Sequence, residues 1–186
     1  MIATPPPPAL LMSPAERRRW LLSLWRYGVP ALASVLLLVL MLAPVPVSLP
    51  AMPHLALMGV LAWAMLQPGL MPPWVAFVIG MLADLLFGQP LGVNATLFAL
   101  ATGAMRMASR AFGRHGPGFD WMLVAAVLLG VALATAPLMA LAGQPTEVLP
   151  LLWQWLTSVV AWPLVARTCA AVQRRLAASA PQWRHG

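Results

Sequence analysis

The chain has 186 residues, of which 61% are hydrophobic and only 8% are charged, and its mean hydropathy is +0.84. Soluble domains carry about 25% charged residues, so this composition excludes an ordinary water-soluble fold and favours several bilayer-spanning helices. All eleven basic residues are arginines and they lie beside apolar runs, which argues against a nucleic-acid-binding face despite the net charge of +7.

Residues 1–28 are predicted to form a proline-rich and basic segment that is cytoplasmic or interfacial. Four consecutive prolines near the N-terminus favour an extended chain. Ser13, Pro14 and Glu16 then have the spacing of a helix start, in which the serine caps the helix and the glutamate reaches back. The residues that follow fit a short helix at the membrane surface or, alternatively, a charged flank of the first span.

Six apolar segments follow, and prolines mark most of the junctions between them. The predicted fold is therefore an all-α integral membrane protein with about six transmembrane helices, whose membrane domain covers residues 29–172. The second and third segments are short for spans, so a re-entrant pair is an alternative for them. The segments run from about residue 29 to 47, 52 to 66, 74 to 87, 91 to 107, 121 to 141 and 148 to 172.

The arginines form three groups: before the first segment, after the fourth, and at the end of the sixth. With six spans and a cytoplasmic N-terminus, all three groups lie on the cytoplasmic side, where basic residues accumulate. The same holds for four spans and a re-entrant pair. We therefore expect both termini in the cytoplasm, with a basic tail over residues 173–186. The arginines used for this prediction are Arg17, Arg18, Arg19, Arg106, Arg110, Arg114, Arg174 and Arg175.

Asp84 is the one acidic residue without an evident helix-capping role. It lies near the end of the third segment, where the helix dipole disfavours a negative charge and the bilayer makes it costly. Gly80, Asp84 and Gly88 are spaced by four and share one helix face, so Asp84 is expected to face protein. In the fourth segment, the residues proposed to pack against this face are Gly92, Thr96, Ala99 and Gly103.

No reactive constellation accompanies Asp84. The three histidines and the single cysteine have no metal-ligand spacing, and neither a phosphate-binding loop nor a nucleophile elbow is present. We therefore predict no catalytic residues, no metal and no cofactor. The expected role of Asp84 is to anchor the turn or a neighbouring helix.

The stretch "DLLFGQPLGVN" resembles the rod shape-determining MreD family, which has an aspartate at the end of the third span and a Gly-x-Pro-Leu-Gly turn after it. Length, a basic N-terminal lead and about six spans are also similar. The link between segments two and three departs from the family, in which an arginine or other polar group is often found there, because its only polar side chain here is that of Gln67. The motif residues are Asp84, Gly88, Pro90, Leu91, Gly92 and Asn94.

The resemblance implies a non-enzymatic scaffold in the bacterial inner membrane. Such a scaffold works with an MreC-like membrane protein and, indirectly, with the MreB filament and wall-synthesis enzymes in the elongation machinery, or elongasome. It also implies an alternative, because the family's fold is similar to that of the vitamin-binding subunits of membrane transporters. A vitamin-binding role requires a polar pocket, for which the candidate residues are Asp84, Asn94, Thr96, Thr102 and Thr135.

Overall fold

The computed structural model describes residues 14–42, 52–112 and 116–178, and within these ranges the chain forms six α-helices and no strand. The all-α class predicted from the sequence is confirmed. Residues 1–13, with the four consecutive prolines, residues 43–51, residues 113–115, with Arg114, and residues 179–186 lie outside the described residues. The helices are α1 (Pro14–Met41), α2 (Leu55–Leu66), α3 (Pro73–Phe87), α4 (Val93–Phe112), α5 (Pro117–Leu141) and α6 (Val148–Ala178).

The first helix is continuous. Of the two arrangements considered for the basic segment, a separate surface helix and a charged flank of the first span, a continuous helix fits the second, because α1 passes through Gly28 and Pro30 without a break. The hydroxyl of the buried Ser34 donates a hydrogen bond of 2.9 Å to the Pro30 carbonyl. At the other end of the chain, α6 continues to Ala178, so the start of the predicted tail is helical.

Helix α2 occupies the centre of the bundle. All nine residues from Ala56 to Ala64 are buried, and the helix packs against α1, α4 and α6. A helix that is apolar on every side is typical of such a central position. Its 12 residues rise about 18 Å, less than the thickness of a hydrocarbon core. Backbone that protein covers need not span the full hydrocarbon thickness, so the burial of α2 accommodates its short length.

The outer helices carry an apolar surface. Gly118–Leu141 and Val148–Leu176 are long and apolar enough to cross a membrane by length and composition, and Gly28–Met41, α2 and α3 are shorter apolar helices. Extended apolar patches are rare on soluble monomers, so this surface suits a lipid environment. Side chains that are more than half exposed include Leu36, Val78, Leu100, Leu133 and Leu164.

Candidate functional site

Helix α3 ends in a left-handed turn at Gly88. The glycine has φ of +64° and ψ of 27°, a conformation that glycine adopts without a Cβ penalty. The backbone N–H groups of Gly88 and Gln89 both donate to the Asp84 carbonyl, the second at 2.9 Å. A second glycine with positive φ, Gly92 at +101°, lies immediately before α4. The two glycines therefore allow α4 to start directly beside the end of α3.

The Asp84 carboxylate caps the start of α4 from the neighbouring helix. Its Oδ2 atom accepts hydrogen bonds from the backbone N–H groups of Gly92 at 2.8 Å and Ala95 at 3.3 Å. Its Oδ1 atom accepts one from the Asn94 N–H at 2.9 Å. The first N–H groups of a helix have no partner within that helix, and these contacts satisfy three of them around the first turn of α4.

This geometry changes the electrostatic interpretation of Asp84. The sequence places the residue at the C-terminal end of α3, where the dipole disfavours an acid. The structure places its carboxylate at the N-terminal end of α4, where a negative charge is favourable. The side chain is fully buried, and no described arginine forms an ion pair with it. Backbone N–H groups are therefore what stabilises this carboxylate among the described residues.

The remaining motif residues complete the turn. The Asn94 side-chain amide donates to Oε1 of Gln89, and the Val93 N–H donates to the Pro90 carbonyl at 3.3 Å. Leu91 is 67% exposed. Most motif residues therefore form hydrogen bonds within the turn, whereas Leu91 is exposed on the surface of the described fold.

Gly80 brings α3 and α4 into close approach. A Cβ atom added there would lie 2.5 Å from the Asn94 carbonyl oxygen and 2.7 Å from the Ala95 Cα atom. These are backbone atoms, so the missing side chain is what lets the start of α4 pack against α3. The two helices form the most extensive helix pair of the described fold.

Most of the small residues proposed for the α4 side of this contact do not form the close approach at Gly80. Thr96 is exposed and its hydroxyl bonds to the carbonyls of its own helix, and Gly103 has open space where a side chain would be. Ala99 is only partly buried. The prediction of a stripe on α4 is corrected here, because α4 approaches Gly80 through Asn94 and Ala95. Sequence spacing located the α3 face but not the rotation of α4 against it.

Arg106 supports the link between α2 and α3. Its guanidinium donates to the carbonyl oxygens of Pro68 and Met71, the latter at 3.4 Å. The sequence of this link contains no arginine, and the structure shows one reaching it from α4. Since Arg106 is 35 residues or more away from these carbonyls, spacing alone gave no signal for the contact.

A second long-range contact was also missed by sequence reasoning. The His54 backbone N–H, just before α2, donates to the Ser158 hydroxyl at 2.8 Å, and that hydroxyl donates to the Gln154 carbonyl at 2.7 Å. The His54 ring packs edge-on against Phe98 at 5.5 Å between centroids. These contacts fix the start of α2 between α6 and α4. The largely apolar sequence around Ser158 does not indicate that this serine contacts the backbone of His54.

The described residues include no group of three or more histidine, cysteine or acidic side chains that could hold a metal ion. Cys169 is buried in α6. Asp84 has its oxygens directed to backbone N–H groups and not to a nucleophile or a base. The arrangement can therefore hold two helices together, and it offers no reactive pair.

The described fold defines a class: an all-helical protein with apolar helices long enough to cross a membrane, in which a buried aspartate joins the end of one helix to the start of the next. A family model described as rod shape-determining protein MreD matches residues 23–170, and the chain belongs to that family. The resemblance carried by the Asp84 stretch is thereby confirmed. Comparison with curated proteins and with solved structures gives no significant match.

Proposed function

We propose that this protein is a non-enzymatic membrane scaffold of the bacterial cell-elongation machinery. Membership of the MreD family suggests a role in rod shape determination, and the match over residues 23–170 is the observation that carries the proposal. In this role the protein couples an MreC-like membrane protein, and through it the MreB filament, to lateral peptidoglycan synthesis.

The chemistry of the described residues supports a scaffold rather than a catalyst. General acid–base catalysis needs a titratable group within reach of a reacting proton, and nucleophilic catalysis needs an activated nucleophile. The buried carboxylate of Asp84 instead accepts three backbone hydrogen bonds. Holding α3 against α4 is a stabilising task, as expected for a protein that acts by binding partners.

The vitamin-binding alternative has less support because its pocket residues are engaged within the chain. Thr102 and Thr135 donate to the carbonyls of Phe98 and Val131, one turn back in their own helices. Asp84 and Asn94 belong to the turn between α3 and α4. A polar ligand would have to displace these hydrogen bonds.

The proposed topology is six membrane crossings with both termini in the cytoplasm of a bacterial inner membrane. Arginines in α4 and α6 then lie on the cytoplasmic side, together with those at the start of α1. The turn at Asp84 lies on the periplasmic side. In this arrangement residues 1–28 are the cytoplasmic head, 29–172 the membrane domain and 173–186 the cytoplasmic tail.

Single cysteines test this topology. In a Cys169→Ser background, Gln144→Cys between α5 and α6 should react with a membrane-impermeant thiol reagent added to cells whose outer membrane is permeable to it. Gly116→Cys between α4 and α5 should react only after the inner membrane is opened. Both positions are exposed, so access to the reagent depends on the side of the membrane. Equal labelling of the two in intact cells would contradict a crossing by α5.

Depletion of the protein tests the proposed function. In a rod-shaped host that depends on it, depleted cells should become round, and incorporation of labelled wall precursor should lose its lateral pattern. Expression of the intact chain should restore both. A host that keeps its shape and wall-synthesis pattern after complete depletion would contradict the scaffold role.

A further inference from the structure

An open cleft of about 1080 Å³ lies between the C-terminal ends of α2, α4 and α6 and the N-terminal end of α5. Four arginines line it, two from α4 and two from α6, and the one acidic residue in the lining is Asp120. They are Arg106, Arg110, Arg167 and Arg174. The cleft is thus strongly basic, in a chain that is otherwise poor in charge.

Three of these arginines have no partner in the part of the chain that the structure describes. Arg106 donates to the carbonyls of the α2–α3 link, whereas Arg110, Arg167 and Arg174 form no hydrogen bond or ion pair with another described residue. Like charges around one cavity repel each other, and an anion placed between them would offset that repulsion. Arginine is also the side chain best suited to bind phosphate oxygens through paired N–H groups.

The rest of the lining is largely apolar and aromatic. It includes Trp121 at the start of α5 and Trp162 and Pro163 in α6. The Trp121 indole N–H donates to the Val159 carbonyl at 3.1 Å, which joins α5 to α6 beside the cleft. Tryptophan is enriched where a membrane's hydrocarbon meets its headgroups. A cleft lined by both arginines and apolar, aromatic side chains matches a ligand with a charged head and an apolar tail.

We propose that this cleft binds an anionic phospholipid, with the phosphate of the headgroup among Arg110, Arg167 and Arg174 and an acyl chain along Trp162 and Pro163. Basic pockets between helix ends on the cytoplasmic side of a membrane commonly bind such headgroups. The placement at the cytoplasmic surface rests on the proposed topology. The start of α5, where Gly118 lines the cleft, adds the positive end of a helix dipole.

Native mass spectrometry of the purified full chain in detergent tests the site. Phosphatidylglycerol should bind in preference to phosphatidylcholine, and added salt should weaken the binding because charges drive it. The variant Arg110→Gln/Arg167→Gln/Arg174→Gln should lower the affinity for phosphatidylglycerol about tenfold or more, since one basic residue at such a surface contributes about fivefold. Arg167→Gln alone should show a smaller loss in a protein that is otherwise unchanged.

The matched control is Arg17→Gln/Arg18→Gln/Arg19→Gln, which removes the same charge from outside the described lining and should keep the wild-type affinity. An equal loss in both triple variants, or no preference over phosphatidylcholine, would overturn the proposal. So would competition by glycerol 3-phosphate or inorganic phosphate at the concentration of the lipid, because the site would then take free phosphate. The measurement uses purified protein, so its failure leaves the shape test of the proposed function unaffected.

Discussion

Substitution of Asp84 by leucine is expected to lower the free energy of unfolding by about 3 kcal/mol or more, with separation of α3 from α4 as the structural result. The carboxylate accepts hydrogen bonds from the backbone N–H groups of Gly92, Asn94 and Ala95. Leucine leaves buried N–H groups without a partner, and each such group costs about 1 to 3 kcal/mol.

Asparagine at the same position should have an intermediate effect. Asp84→Asn keeps one acceptor oxygen but loses the charge that favours the start of α4. Asp120→Asn is the control, since Asp120 is partly exposed in the first turn of α5 and should change stability by less than about 1 kcal/mol. Unfolding by sodium dodecyl sulfate in mixed micelles, followed by tryptophan fluorescence, measures the free energy of unfolding of each variant and of the wild type. Equal stability of the leucine variant and the wild type would contradict the role of Asp84 in holding the turn.

A side chain at Gly80 is the second change expected to have a large effect. In Gly80→Ala, the new methyl group would lie 2.5 Å from the Asn94 carbonyl oxygen and 2.7 Å from the Ala95 Cα atom. Backbone atoms cannot move aside as a flexible side chain does, so α4 must shift away from α3. Overpacking of this kind costs about 1 to 3 kcal/mol, and Gly80→Val should cost more.

The matched control for Gly80 is Gly103→Ala, because Gly103 lies in α4 and an added Cβ there would have no atom of another helix within 4 Å. Alanine favours a helix interior over glycine by about 1 kcal/mol, so this variant should be neutral or slightly more stable. The same unfolding assay compares the pair. A Gly80→Ala protein that is as stable as Gly103→Ala would mean that the close approach of α3 and α4 does not contribute to stability.

Much of the fold follows from the sequence because apolar runs and prolines act locally. The second to sixth apolar runs correspond to helices that start and end within several residues of their predicted limits. The first helix starts at Pro14, well before the predicted limit near residue 29, because the change from basic to apolar composition near Gly28 does not interrupt its backbone. A change from basic to apolar residues can mark where a chain enters a membrane, but it does not end a helix, because the backbone hydrogen bonds continue through it.

The site was predictable only in part. The glycine spacing predicted a face of α3 that meets a neighbour, and the structure places Gly80 and Asp84 against the start of α4. The partner groups of Asp84 are backbone N–H groups, which every residue carries and no pattern reveals. The contacts of Arg106 with the α2–α3 link and of Ser158 with His54 depend on how helices pack, and a single sequence contains little information about such distant pairs.

Rescue of shape in depleted cells by Asp84→Asn and Asp84→Leu tests the central claim most directly, because it separates a structural carboxylate from a chemically active one. The scaffold proposal predicts that the asparagine variant restores part of the rod shape and the leucine variant little, in line with their stabilities. The contradicting result is an asparagine variant that folds and co-purifies with the proposed MreC-like partner as the wild type does, but restores no shape. Asp84 would then act through its charge or its proton, and the protein would not be a scaffold alone.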